Sequence, residues 1–279
     1  MKLSLTRPAF AVATLLAVSL SQGNAALTAY EGFNYGTHDN TTKFLRDANN
    51  HNGGSGWAGE WKEEVGNGIR LDVSETTQTY PAGTDLVGIG GRIENDGSAG
   101  TSRRQLSSSL GSTSYFSALI NWSTGADFSI KLGNTTHVRW TPLSVNTSGE
   151  LRTGGDDVSG PNYGLTTGDV QLTAGTDYLV VGRRTSSGSD RTVVVSVFEV
   201  GSPGTFLTEP VSWDLSTTFS SGVALSHLDV EAENGNTSVI DEIRFGDSYA
   251  DVVGVLVPEP GSLVLFGLGG LSLLFRRRR

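Results

Sequence analysis

Short runs of strand-forming residues recur through the middle of the chain, and this pattern constrains the fold more than any other feature. Five runs are rich in β-branched and aromatic residues and are bounded by Gly, Ser, Thr or Asp. They are residues 114–122, 127–132, 177–184, 191–200 and 238–245. No stretch between them keeps an apolar period of 3.6 residues with capping signals. The pattern predicts an all-β domain over residues 26–250, folded as a two-sheet antiparallel sandwich.

Two of the intervening segments make local predictions. The Ser-Thr-Gly turn at residues 123–125 predicts that the runs on either side of it are neighbouring strands. Residues 185–190 (TSSGSD) predict a hairpin loop between the runs 177–184 and 191–200. The three consecutive valines at 193–195 put β-branched side chains on both faces, which predicts a strand covered on both sides.

The composition agrees with a sandwich held together by its core. The chain has 37 glycines among 279 residues, which suits many tight turns. It has no cysteine, so a disulfide framework, a thiolate metal site and a cysteine nucleophile are all excluded.

Residues 1–25 read as a secretory signal helix. Lys2 and Arg7 form a positive start, residues 9–20 are apolar, and Gly-Asn-Ala at 23–25 is a cleavage site of small residues. The apolar run is short and a polar segment follows it, which favours a removable signal over a permanent anchor.

The other end carries a second, more specific signal. A proline-rich motif precedes fifteen uncharged residues, 261–275, and a cluster of arginines. The residues are Val257, Pro258, Glu259 and Pro260 in the motif and Arg276, Arg277, Arg278 and Arg279 in the cluster. As a helix the uncharged span would reach about 22 Å, against roughly 30 Å of bilayer hydrocarbon. We therefore predict a short single transmembrane helix with the arginines on the cytoplasmic side and residues 26–256 outside.

This combination resembles the PEP-CTERM sorting signal of bacteria with two membranes. The resemblance covers residues 257–279 and describes sorting rather than activity. It implies recognition by an exosortase-type membrane protease and an inner-membrane stage before processing. It also implies a secreted or cell-surface location, held transiently or permanently by the tail, and a link to extracellular polysaccharide and biofilm.

Processing would make an acidic chain more acidic. Removing residues 1–25 moves the net charge from −9 to −11, and losing the four terminal arginines moves it to −15. A domain of that charge is repelled by nucleic acid and by anionic lipid, so neither is expected as a partner of the mature domain.

A second resemblance concerns the middle of the chain, 26–250, ahead of a short linker at 251–256. The pieces YEGFNY at 30–35, GGSGWAGEW at 53–61, SYFSAL at 114–119, DYLVV at 177–181 and DEIRFGDSYADV at 241–252 resemble concanavalin A-like (LamG-like) jelly rolls. This resemblance implies the sandwich architecture. Lectins, glycosidases and adhesion modules share that fold, so it implies no particular chemistry.

Trp57 and Trp61 are the candidate carbohydrate-binding residues. In an extended segment they point to the same side, where two indoles can stack on successive sugar rings. The alternative is that both rings fill the end of the sandwich, since tryptophan is mostly buried in folded proteins. The core-packing reading is favoured.

Carboxylate catalysis is not expected. A glycosidase on this fold needs two opposed carboxyl groups, and the E-x-D-x-x-E pattern of related enzymes is missing. Dispersed carboxylates such as Glu60, Asp241 and Glu242 are the residues that a hydrolase or lyase would have to use. No catalytic residue is therefore assigned.

The closing strand has a structural reading of its own. Alternation places Asp241 on the face of Ile243 and Phe245, half-buried and bonded to loop amides. It places Glu242 beside Arg244 on the opposite face, as an ion pair at the surface.

No metal ligand and no cofactor are predicted. His38, His51, His137 and His227 are scattered without metal-binding spacing. Loop oxygens at Asn95-Asp96-Gly97 or at the 156–157 aspartate pair are the weak candidates for calcium, and neither has an EF-hand pattern.

The sequence therefore predicts an exported adhesion or biofilm module with at most weak carbohydrate binding. The alternative from another class is a polysaccharide-degrading hydrolase or lyase on the same fold. A third alternative is a bulk matrix component that recognises no specific ligand.

Overall fold

The computed structural model describes residues 27–33, 53–66, 70–72, 92–94, 100–134, 138–155, 165–202, 206–220, 224–234 and 238–254. These residues fall within one compact unit, Ala25–Val255. The signal at 1–25, the sorting motif and the arginine cluster lie outside the described residues.

The described strands form two antiparallel sheets. Sheet A has the order β13-β12-β11-β6-β15-β4-β3, with β1 also paired to β15. Its strands are β1 (Ala29–Glu31), β3 (Arg70–Asp72), β4 (Arg92–Glu94), β6 (Thr113–Asn121), β11 (Asp177–Ser187), β12 (Asp190–Glu199), β13 (Leu215–Ser220) and β15 (Val239–Gly246).

Sheet B has the order β10-β9-β8-β7-β14-β5-β2. Its strands are β2 (Lys62–Gly66), β5 (Gly100–Gln105), β7 (Asp127–Gly133), β8 (Val138–Val145), β9 (Glu150–Gly154), β10 (Leu165–Gln171) and β14 (His227–Asn234). The prediction of an all-β antiparallel sandwich is confirmed.

The core lies between the two sheets because alternate residues of each strand point inward. Phe116 of β6 and Trp140 of β8 meet edge to face, with ring centroids 6.0 Å apart. Ile130 of β7 and Val230 of β14 belong to the same buried cluster. Burial of this apolar surface is the main source of stability in a chain without disulfides.

The turn at 123–125 connects the sheets, so the prediction that its flanking strands are neighbours is wrong. β6 pairs with β11 and β15 in sheet A. β7 pairs with β14 and β8 in sheet B. Trp122 and Ala126 are buried at the crossing, where the Trp122 indole N–H donates to the Ala126 carbonyl at 3.0 Å. The crossing lets β6 and β7 pack their inward side chains into the same core from opposite sheets.

The hairpin between β11 and β12 has a tighter turn than the sequence indicated. Pairing continues to Ser187 opposite Asp190, which leaves a two-residue turn at Gly188 and Ser189. Gly188 has φ of 61°, a conformation that glycine adopts without steric cost. The valines at 193–195 are all buried, as their β-branched character predicts.

The outer face of sheet A is covered by a second apolar layer. Leu119, Leu179 and Val181 point outward and pack against the segment 206–213 and the helix α1 (Tyr249–Val253). Ser248 caps α1 through a capping box with Asp251, and the helix ends at Gly254 in the left-handed conformation.

This helix changes the interpretation of residues 251–256. The sequence predicted a linker there, but Val252 and Val253 are fully buried against sheet A. The described part of that segment, up to Gly254, is therefore part of the domain. The two valines hold this short helix against the sheet, although five residues are too few to show a periodic apolar pattern.

Within the described residues no helix is long and apolar enough to cross a membrane. The span predicted to do so, 261–275, lies outside them.

Candidate functional site

The glycine-rich stretch at residues 53–61 lies between β1 and β5 and closes the sandwich there. Tyr30 and Ser55 exchange backbone hydrogen bonds of 2.9 and 3.0 Å, and the Ala58 amide donates to the Gln105 carbonyl at 2.9 Å. A β-carbon on Gly54 would stand 2.1 Å from the Tyr30 carbonyl oxygen of β1, and one on Gly56 would stand 2.0 Å from that of Thr28, just before β1. Both positions also have positive φ. Glycine is required there because the loop backbone touches β1.

The two tryptophans of this loop have different environments. Trp61 is 1% exposed, and its indole N–H donates to Glu31 Oε2 at 3.2 Å. Its ring stacks on Phe33, with centroids 6.2 Å apart. Trp57 is partly exposed, and its indole N–H donates to the Tyr30 carbonyl at 2.8 Å.

Arg104 of β5 fills the space between the indoles and pairs with Glu31 of β1. Both charged side chains are 0% exposed. The guanidinium also donates to the carbonyls of Gly53 and Gly59, each at 2.9 Å. It lies 5.0 Å from the Trp57 ring centroid and 5.9 Å from that of Trp61. This buried ion pair joins sheet A to sheet B.

The stacking alternative for both indoles is not the arrangement found here. The rings are tilted by 39°, with centroids 6.4 Å apart, and Trp61 has no face open to solvent. The core-packing alternative describes Trp61. Trp57 is only partly buried.

The closing strand β15 holds a second buried polar cluster. Glu242 accepts from the Tyr30 hydroxyl at 2.8 Å and from the Arg244 guanidinium at 2.8 Å. The Arg244 guanidinium carbon lies 5.2 Å from the Tyr30 ring centroid. Burial, followed by the charge of Glu242, raises the pKa of Tyr30 well above its usual value. Glu242 and Arg244 do pair as expected, but in the interior and not at the surface.

A β-bulge explains why the alternation predicted for this strand is wrong. Asp241 lies opposite Leu119 and Arg244 opposite Ser117, so three steps on β15 match two on β6. The extra residue is accommodated at Glu242, whose φ is 51°. Asp241 therefore shares the outer face of sheet A with Leu119, while Ile243 and Phe245 point into the core.

The dispersed carboxylates do not assemble into a pair that a polymer can reach. Asp241 and Glu242 are almost completely buried. Asp241 Oδ1 accepts from the Glu242 amide at 2.7 Å. Glu60 is exposed in the loop at 53–61.

A row of charged side chains on the outer face of sheet B was missed by the sequence analysis. Asp229 of β14 lies opposite Arg103 of β5 and Lys131 of β7, and Arg103 lies opposite Lys62 of β2. Arg103 holds both Asp229 oxygens, at 2.6 and 2.7 Å. Lys131 pairs with Glu231, the next outward residue of β14.

Arg103, Lys131 and Glu231 remain in contact with solvent, with exposures of 16%, 24% and 22%, whereas Asp229 beneath them is only 6% exposed. The signal for this row was present in the sequence. Residues 227–231 alternate polar and apolar (HLDVE), and so does 130–132 around Lys131.

The histidine and calcium candidates are mostly outside the described residues. His38, His51, His137, Asp156, Asp157 and the 95–97 turn all fall there. His227 is buried, and its Nδ1 lies 2.8 Å from the Ser226 hydroxyl. Over the residues that the structure describes, no group of three His, Asp or Glu side chains is placed to hold a metal ion.

Solved structures similar to this chain share the sandwich at low identity. Lectin II from Ulex europaeus is 11% identical, covering 66% of this chain and 95% of that one, with a TM-score of 0.38. A glycosyl hydrolase family 16 protein from Mycobacterium smegmatis is 12% identical, covering 79% and 100%, with a TM-score of 0.41. Galectin LEC-6 from Caenorhabditis elegans is 10% identical, covering 55% and 94%, with a TM-score of 0.32. No curated protein matches the chain.

A family model matches the C-terminal residues. Positions 256–279 match the PEP-CTERM protein-sorting motif, one residue longer than the segment expected from the sequence. The chain therefore carries a PEP-CTERM sorting motif, which implies export, association with the cell surface and processing by an exosortase.

Proposed function

We propose that this protein is a non-enzymatic module of the cell surface or extracellular matrix that holds polysaccharide on the outer face of sheet B. The sorting motif supports the location, because it implies export. The adhesive or biofilm role follows from that location together with a binding face on the domain.

The observation that carries the proposal is the register of charged residues across four strands. Lys62, Arg103, Asp229 and Lys131 stand at one level of the sheet, over about 14 Å at the usual strand spacing. Ion pairing holds Arg103 and Asp229 in fixed positions, which reduces the entropy lost when a ligand binds. Three of the four side chains are cationic donors, which can donate to the hydroxyl oxygens of a sugar.

The same geometry predicts weak affinity for a single sugar. Hydrogen bonds to sugar hydroxyls replace hydrogen bonds to water, so each contributes only about 1 kcal/mol net. A polymer presents many copies of the same group, and many copies of the protein on a surface add avidity. Trp57 remains the candidate aromatic contact of the module, since part of its ring is exposed.

The test is retardation of the full-length protein in native gels that contain a polysaccharide, with free reducing ends measured in parallel. The double substitution Arg103→Ala, Lys131→Ala is expected to weaken retardation about tenfold or more, because it removes charged hydrogen-bond donors. Arg183→Ala is the matched control, since Arg183 is an ion-paired, 33% exposed arginine on the other sheet. Equal retardation of the parent, the double variant and Arg183→Ala would show that the outer face of sheet B does not bind the polysaccharide. If none of the three is retarded, the bulk matrix alternative is favoured.

One observation favours a second candidate, a glycoside hydrolase. Asp229 and Glu231 project from the same face of β14, near the centre of sheet B. Against it, each carboxylate has a cation partner, whereas a glycosidase needs one carboxyl that is protonated and open to the glycosidic oxygen. Release of reducing ends that is lost in Glu231→Gln, with retardation retained, would establish this candidate instead.

A further inference from the structure

Arg184 of β11 is a buried arginine that has no carboxylate partner among the residues that the structure describes. It is 5% exposed and lies opposite Ser114 and Val193, on the side of sheet A that faces the core. Its guanidinium makes a single hydrogen bond, to the Gly111 carbonyl at 3.3 Å. A guanidinium carries five N–H donors, so most of its hydrogen-bonding capacity is unused among the described residues.

The other buried arginines show what such a residue normally requires. Arg104 pairs with Glu31 and Arg244 pairs with Glu242. Removing a guanidinium from water costs several kcal/mol, and a carboxylate partner offsets that cost. For Arg184 the described part of the chain supplies no such partner.

A second cation makes the position of Arg184 more unfavourable. Arg191 of β12 lies opposite Ser186, so it is diagonal to Arg184 on the same inner side, about 7–8 Å away along the sheet. Its Nε is buried and has no hydrogen-bond partner within the described ranges, while Nη1 donates to the Gly188 and Asp190 carbonyls. Burial, followed by the charge of Arg191, lowers the pKa of Arg184 to about 10.

The nearest carboxylate in sequence is engaged elsewhere. Asp190 Oδ1 accepts from the hydroxyl of Ser220 at 3.1 Å and lies 3.3 Å from that of Ser189. Two arginines therefore lie near each other on the inner side of sheet A, in a chain whose net charge is −9. We propose that Arg184 and Arg191 form a binding site for an oxyanion, namely a carboxylate, sulfate or phosphate group.

An oxyanion fits this site because two of its oxygens match the paired N–H groups of one guanidinium. It supplies acceptors to Arg184 and to the buried Nε of Arg191, and it cancels their mutual repulsion. The anion is either a free ion or an acidic group on a polysaccharide. The site is independent of the charged row on sheet B, because the two lie on different sheets.

The experiment is thermal unfolding of the full-length protein in sulfate and in chloride at matched ionic strength, at a few mM so that general salting effects stay small. We expect sulfate to raise Tm by roughly 3–5 °C once it is about tenfold above its Kd. Arg184→Met should abolish this response without lowering Tm in chloride, because it removes an uncompensated buried charge. Arg183→Met, the adjacent residue on the opposite face, should keep the response.

Arg191→Met provides the same test if Arg184→Met does not fold, and it should reduce the sulfate response. A parent protein that shows no sulfate response would overturn the proposal, and so would a response of equal size in Arg184→Met. Oligogalacturonate and neutral dextran separate the two sources of the anion. Binding of oligogalacturonate at least tenfold tighter than sulfate, lost in Arg184→Met, indicates a polymer group, and equal binding indicates a free ion.

Discussion

The outer faces of the two sheets have opposite character although the strands follow the same alternation. On sheet A, the outward residues Leu119, Leu179 and Val181 lie under α1 and the segment 206–213 and have almost no exposed surface. On sheet B, the outward residues Arg103 and Lys131 keep a part of their side chains in solvent. Sheet A is thus an internal layer, whereas sheet B keeps charged side chains in contact with solvent.

The comparison also separates two uses of charge. The pair of Glu31 with Arg104 is fully buried and connects the sheets. The pair of Asp229 with Arg103 lies on the outer face of sheet B, where Arg103 is 16% and Asp229 6% exposed. Arg103 and Arg104 are adjacent in sequence, so residue type and position along the chain do not distinguish a structural charge from a surface one. The face of the strand does.

The largest expected effect comes from breaking the buried pair. Arg104→Met leaves Glu31 charged and buried, which should lower the free energy of unfolding by about 3–5 kcal/mol. Urea denaturation measures the loss. Arg103→Met is the matched control and should cost less, about 1–2 kcal/mol, because Arg103 is 16% exposed and water can reach Asp229 once the guanidinium is removed. Equal losses in both variants would show that the two faces of β5 are not different environments.

A smaller loss is expected from the covered face of sheet A. Leu179→Ala creates a cavity beneath α1 and should cost about 2–4 kcal/mol in chemical denaturation. Lys131→Ala, on the face of sheet B, should change stability by less than about 1 kcal/mol. A loss of that small size in Leu179→Ala as well would mean that α1 and the segment 206–213 do not cover the sheet in solution.

The smallest expected effect concerns the hydrogen bond that joins α1 to the segment 206–213. The Tyr249 hydroxyl donates to the Phe206 carbonyl at 2.7 Å, so Tyr249→Phe should cost about 1 kcal/mol. Burial raises the pKa of Tyr249 above its usual value. The contribution of this bond is therefore complete below about pH 10, where unfolded tyrosine is neutral, and it declines as the pH rises above that value.

The pH dependence of unfolding, compared between the parent and Tyr249→Phe, measures this contribution. The two stability curves should converge above pH 10. Parallel curves across that range would contradict the assigned bond.

The strands that the sequence revealed are those with regular alternation. The runs at 114–122, 127–132, 177–184, 191–200 and 238–245 all lie on strands of the sandwich. Their β-branched residues need only local information to be recognised. Which sheet each strand joins depends on contacts far along the chain, and the pairing of β6 with β11 and β15 therefore could not be read from the turn at 123–125.

The candidate site was harder to foresee for specific reasons. The bulge at Glu242 places Asp241 and Ile243 on opposite faces of the sheet, where regular alternation would place them on the same face. The sequence has no local signal for the extra residue. The burial of Trp61 depends on Glu31 and Arg104. Glu31 is 30 residues from Trp61 in the sequence, and Arg104 is 73 residues from Glu31. The row on sheet B, in contrast, follows from alternation in β14 and could have been predicted.

Hydroxyl-radical footprinting of the full-length protein, with and without a polysaccharide that retards it, tests the central claim most directly. The account predicts protection of the outward residues of β5, β7 and β14, with Trp213 in the segment 206–213 equally reactive in both states. Protection confined to Trp213 and its neighbours, with those three strands unchanged, would contradict it.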